Sequence, residues 1–207
     1  MPGLYPGGKI VEVVATLRTI AGPVQNELPR IKGSRFIGLL DPVASLEDVD
    51  AMLVRIRREL PGATHYAVAA RIDAKTERIS DDGEVRGTAG RPIYARLAGA
   101  ELLGVALVVV RYYGGTKLGK GGLVRAYGEA ASAVLTVAEV IEQPIRTPVT
   151  LTCTYSLSDR VQAQVIREGG VVARVDYDTA VTLTLALPVD RPEVLAALLE
   201  YAGVRVV

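Results

Sequence analysis

Apolar positions change their spacing along this chain, and each spacing predicts an element. Residues 10–18 and 24–40 read as strands, with a turn over 21–23 and a bend at Gly33 inside IKGSRFIGLL. Leu46, Val49, Met52, Leu53, Ile56 and Leu60 repeat at helical spacing and predict a helix over 46–60. Ser45 caps it, Glu47 and Asp48 suit its positive end, and Pro61 with Gly62 stops it. HYAVAARI, 65–72, reads as a strand, followed by a polar loop, SDDGEVRGTAG, and a short helix opened by Pro92. ALVVVRYY, 106–113, is apolar without alternation, as a buried strand would be. After a glycine-rich loop, Leu123, Ala126, Tyr127, Ala130, Ala131, Val134, Leu135 and Ala138 form the clearest helical stripe in the sequence.

The pattern breaks in QPIRTP, and a boundary between two domains, 1–145 and 146–207, is placed there. Beyond it the order is strand 149–155, helix 158–168, strand 171–177, strand 180–187, helix 191–201 and strand 204–207. Ser158 is expected to cap the first of these helices, and Asp190 with Glu193 to box the second. The βαββαβ order is ferredoxin-like, so the chain as a whole reads as α+β. Cys153 alternates with Val149, Leu151 and Tyr155, which places it in a core as an inert thiol.

Composition narrows the function. No apolar stretch is longer than 105–110, which is far short of the ~18 residues a membrane helix needs. The N-terminus lacks a signal-peptide layout, so the chain is read as soluble and cytoplasmic, with no membrane partner. A net charge of +1 excludes a globally basic nucleic-acid binder. The charge is uneven, however. Residues 1–146 hold 19 Lys+Arg against 16 Asp+Glu, or +3, and residues 147–207 hold 5 against 7, or −2. Arg111, Lys117, Lys120 and Arg125 cluster in 111–125 with no acid among them, which points to a confined anionic contact.

Those basic residues surround RYYGGTKLGKGGLVRAY. The stretch 114–120 matches the front of a nucleotide-binding P-loop, but Gly121 stands where the magnesium-binding Ser or Thr belongs. The dinucleotide pattern fails too, since Val124 follows where a glycine is needed. A simpler anion site survives: Gly114 and Gly115 allow close backbone approach, a helix N-terminus follows, and Lys117, Lys120 and Arg125 add charge. Equally, the glycines could serve only tight turns and close packing. A second candidate site is His65 with Asp81, Asp82 and Glu84. One His and three acids could ligate a metal or act as acid and base, but SDDGE is also turn chemistry. No metal and no cofactor is expected. Asp81 and Asp82 are expected to bond backbone N–H groups of their own loop.

SRFIG, PGATHYA, SDDGEVRGTAGRPI and VVVRYYGGTKLGKGGLVRAYGEAA, in this order, resemble the IMPACT family in its bacterial YigZ-type branch. The likeness runs from about residue 20 to 140, and the trailing domain resembles that branch's C-terminal domain. Val85 replaces the usual proline, Lys120 stands where a neutral residue is common, and the first fifteen residues look like an extension. The resemblance implies an N-terminal sheet with two helices on one face, like domain IV of elongation factor G. It implies a C-terminal domain like domain V of that factor. It also implies a role near RNA or the ribosome.

Three functions compete. The first is a non-enzymatic binder of RNA or ribosomal surfaces through the basic glycine loop. Tyr112 and Tyr113 offer stacking groups there, although strand alternation lets only one, such as Tyr113, share the loop's surface. The second is a hydrolase-type enzyme built on His65 and the Asp81–Glu84 stretch, which needs the two loops to meet. The third is a regulator that binds a protein partner without touching nucleic acid.

Overall fold

A computed structural model describes residues 16–207. Within them the chain divides into two compact units, Leu17–Gln143 and Pro144–Val207, the latter taking in Thr16. The expected strand at 10–18 therefore falls largely outside the described residues, as does the N-terminal extension.

The first unit contains β1 (Thr16–Ile20), β2 (Val24–Glu27), β3 (Arg35–Pro42), α1 (Leu46–Glu59), β4 (His65–Arg71), β5 (Glu77–Ser80), α2 (Gly90–Gly99), β6 (Val105–Tyr112), α3 (Gly119–Val137) and β7 (Val140–Pro144). Five strands form an antiparallel sheet in the order β2-β3-β6-β4-β5, and β1 pairs with β7. One face of the large sheet packs Phe36, Leu40, Ala67, Leu107 and Val109 against Ile93 and Leu97 of α2 and Leu123, Tyr127 and Val134 of α3. The other packs Ile37, Tyr66, Val68, Val108 and Val110 against Val49, Met52 and Ile56 of α1. Helices cover both faces, so α1 adds to the expected pair. This is why β6 is a continuous apolar run: both of its faces are buried.

The stretch 24–40 is two strands rather than one. Between them Ile31 and Ser34 bridge across Lys32 and Gly33, whose φ values of 48° and 87° make a type I′ hairpin turn. β5 lies in a stretch the sequence does not mark as a strand, because four residues give too little alternation to recognise. β7 occupies part of the segment read only as a break.

The second unit contains β8 (Arg146–Cys153), α4 (Tyr155–Arg167), β9 (Val171–Tyr177), β10 (Val181–Pro188), α5 (Pro192–Leu199) and β11 (Arg205–Val206). Its antiparallel sheet, ordered β11-β8-β10-β9, is the ferredoxin-like arrangement. Leu151, Cys153, Val181, Leu183 and Leu185 face Val161 and Val165 of α4 and Val194 and Leu198 of α5. The cap assignments differ from expectation. α4 begins at Tyr155 after Thr154, and Ser158 sits buried inside it, accepting from Gln162 Nε2 at 3.0 Å. α5 follows Arg191 with no side-chain cap, and Pro192 opens it.

Candidate functional site

The two loops singled out in the sequence meet. Asp82 and Gly83, with φ values of 48° and 79°, form a turn closed by Glu84 N–H donating to the Asp81 carbonyl at 3.1 Å. Asp81 stays within its own loop. Its carboxylate accepts from the amides of Gly87 at 2.7 Å, Gly90 at 2.9 Å and Ala89 at 3.0 Å. Burial pushes the Asp81 carboxyl up. The three amide bonds and the charge of Arg91 outweigh that and hold it below the ordinary Asp value. Asp82 departs from expectation by reaching outside the loop: its carboxylate accepts from Tyr66 N–H at 2.7 Å and from Arg57 at 2.8 Å. Both aspartates thus serve to fix the loop, and among the described residues no cluster of metal-ligating side chains forms.

His65 opens β4 beside this turn. Its Nδ1 lies 2.9 Å from the Asp82 carbonyl. A carbonyl can only accept, so Nδ1 carries a proton, and in the neutral form of the ring the lone pair is on Nε2. Nε2 lies 3.7 Å from Glu84 Oε1. The Glu84 side chain is only 6% exposed. Its Oε2 accepts from Arg111 Nη1 and, at 3.0 Å, from the Tyr127 hydroxyl; Oε1 accepts from Val85 N–H at 3.3 Å. Burial, then the Glu84 charge and hydrogen bond, push the Tyr127 phenol far above its ordinary value, so it stays a donor.

Arg111, in sequence one of the cluster of cations, has another task in the structure. At 5% exposure it is the buried partner of Glu84, with Nη2 3.5 Å from Ser34 Oγ and the guanidinium over the rings of Phe36 and Tyr113. Among the described residues its Nε has no partner. Gly114 and Gly115 are also otherwise engaged. A Cβ on Gly114 would lie 2.6 Å from the Gly33 carbonyl oxygen, and one on Gly115 2.7 Å from that of Lys32. The Gly114 amide donates to Ser34 Oγ at 3.3 Å. These glycines let one loop lie on the backbone of the Lys32–Gly33 turn.

Lys117 and Lys120 remain exposed, and neither forms an ion pair with a described residue. They line a cleft of about 410 Å³ together with Thr64, His65, Glu84, Val85, Arg111, Tyr113, Leu118, Gly119 and Leu123. Arg111 and Glu84 cancel there, which leaves two lysine charges. α3 begins in this cleft with no side-chain cap on its first amides. Arg125 lies instead in a neighbouring groove of about 160 Å³ with Lys32 and Glu129. Tyr113 lines the cleft, whereas the Tyr112 hydroxyl donates to Pro61 O at 3.2 Å. Sequence reasoning missed Thr64, Val85, Leu118 and Leu123 as walls, and took Tyr127 for a purely apolar position.

A two-faced α+β unit followed by a ferredoxin-like unit, with a cationic cleft between a turn and a helix start, defines the class of molecule. The model of the Impact N-terminal domain matches residues 32–135, and that of a domain of unknown function (DUF1949) matches residues 151–200. The IMPACT family member YigZ of Escherichia coli is 38% identical over 172 residues, 81% of this chain and 84% of that protein. An IMPACT family member of Haemophilus influenzae is 40% identical over 150 residues, 67% of this chain and 73% of that protein. A crystal structure described as that of a hypothetical protein superposes with a TM-score of 0.74 at 34% identity, covering 94% of this chain and 98% of its own. The chain belongs to the IMPACT family. Among the described residues no helix is long and apolar enough to cross a membrane.

Proposed function

We propose that the protein is a non-enzymatic binder of RNA, in the translation-related setting the family resemblance implies, and that its cleft holds the RNA backbone. The observation that carries this reading is the pair of exposed lysines, Lys117 and Lys120, in a cleft whose other charges cancel. The uncapped first turn of α3 adds oriented N–H groups and a partial positive charge beside them. The amides of Gly114 and Gly115 are not part of this site.

Two lysines neutralising about two phosphates give a log–log salt dependence of roughly −1.4 on a single strand. The double variant Lys117→Ala, Lys120→Ala should remove that slope and keep its thermal unfolding midpoint, because both side chains are solvent-exposed. Binding by the variant with an unchanged slope, or no binding by the parent protein at low salt, would sink the reading. A second reading has one observation in its favour: His65 Nε2 and Glu84 Oε1 face the same cleft as the lysines. RNA cleavage on prolonged incubation, abolished in His65→Ala, would turn the binder into an enzyme.

A further inference from the structure

The cleft contains more than a phosphate site needs. Its volume of about 410 Å³ falls in the range of pockets that enclose small molecules. A phosphate group occupies on the order of two or three water volumes of about 30 Å³ each, and fills only a minor part of it. The remaining walls are apolar: Val85, Leu118 and Leu123, with the ring of Tyr113. That ring is held in place. Its hydroxyl donates to the Gly115 carbonyl at 3.0 Å, the Tyr113 backbone N–H donates to Thr64 Oγ1 at 3.0 Å, and the Arg111 guanidinium sits 5.4 Å from the ring centroid. A fixed aromatic ring, half exposed beside two cations, is a platform for a flat ring carried on an anionic chain.

The floor says which ring. Glu84 Oε1 and His65 Nε2 stand 3.7 Å apart, too far to bond each other well. With the His65 ring uncharged, both present lone pairs. Nδ1 of His65 is committed to the Asp82 carbonyl, and Glu84 is anchored by Arg111, Tyr127 and the Val85 amide. Two acceptors at this spacing are matched by one group with two N–H bonds.

We propose that the cleft takes one unstacked nucleobase carrying an exocyclic amino group, stacked on Tyr113, with the amino group donating to His65 Nε2 and Glu84 Oε1. The inference rests on the phosphate reading above, since the lysines hold the strand that carries the base. It predicts discrimination against uracil, whose carbonyl would face two acceptors in the position where cytosine presents its amino group. A site built to accept from a ligand group rejects the analogue that cannot donate.

The test compares two labelled ribo-oligonucleotides of equal length, all-cytidine and all-uridine, binding to the intact chain by fluorescence anisotropy. They share phosphates, sugars and ring size, and differ at position 4, amino against carbonyl, and at N3, which carries a hydrogen only in uracil. The cytidine strand should bind on the order of tenfold tighter or more. Tyr113→Ala should weaken both strands. His65→Leu should erase the preference while leaving the salt dependence intact, because Lys117 and Lys120 are unchanged. Equal affinity for the two strands, with a lysine-dependent salt slope, would overturn the base assignment and leave phosphate binding standing. Binding to neither strand would overturn both. The comparison on the unaltered protein decides the matter even if His65→Leu fails to fold.

Discussion

The glycines of the 114–121 stretch divide into two kinds once their neighbours are known. Gly114 and Gly115 meet backbone, which cannot move aside, and Gly115 also has φ of 70°. Gly121 has nothing within 4 Å of an added Cβ and lies inside α3. Gly114→Ala and Gly115→Ala should therefore each destabilise the protein by about 1–3 kcal/mol, as overpacking does. Gly121→Ala should be neutral or stabilising by up to about 1 kcal/mol, because Ala is the better helix former. Urea unfolding of the three variants checks this, and a loss in Gly121→Ala equal to the others would refute the division. The doubled glycines are legible in the sequence, but their partner is a turn some eighty residues earlier, and spacing cannot reveal it. Glu84 is similar. In SDDGE it reads as a turn residue, and only Arg111 and Tyr127, 27 and 43 positions away, make it the buried centre of the cleft.

At the scale of elements, local signals were legible where the chain satisfies itself. The N-terminus of α1 has its capping box in four consecutive residues, with Ser45 Oγ accepting from Asp48 N–H at 3.2 Å and Asp48 accepting from Ser45 N–H at 3.0 Å. Ser45→Ala should cost about 1 kcal/mol in the same unfolding assay. α2 was harder to read because its cap is remote. Ala89 precedes it with no capping side chain, and Asp81 supplies the acceptor from the loop. Asp81→Asn offers one acceptor oxygen to three amides and should cost about 1–3 kcal/mol at neutral pH. The Asp81 pKa is lower folded than unfolded. Its contribution is thus fully present above the unfolded value of ~3.9 and is lost as pH falls through the lower folded value. The stability gap between parent and Asp81→Asn should accordingly be wide at pH 7 and shrink toward pH 3. A gap independent of pH would mean that the carboxylate charge is not what caps α2.

At the scale of the molecule, the ferredoxin-like order of the second unit is legible because β10 alternates cleanly, the helices keep their own spacing and the turns are short. The two-sided burial of the large sheet was less so, since an apolar run such as 105–110 does not say how many helices cover it. Each unit has its own core, two clusters around the large sheet and one in the ferredoxin-like unit. We propose that each unfolds as its own cooperative unit, and the sole cysteine of the chain provides the probe. Cys153 is 2% exposed in the core of the Pro144–Val207 unit, and burial pushes its thiol pKa up. Thiolate is the reactive form, so labelling by a disulfide reagent has to wait for that core to open. A domain of about 60 residues is marginal on its own, while the larger unit buries a greater share of its surface. Rising urea should therefore expose Cys153 first. Near-ultraviolet dichroism of the tyrosines, which in the larger unit include the buried Tyr66 and Tyr127, the latter packed edge-on to Phe36 with ring centroids 5.3 Å apart, should keep a native component at the same urea concentration. Thiol labelling and tyrosine dichroism that trace one coincident transition would show a single cooperative molecule, and the division into independently folding units would have to be abandoned.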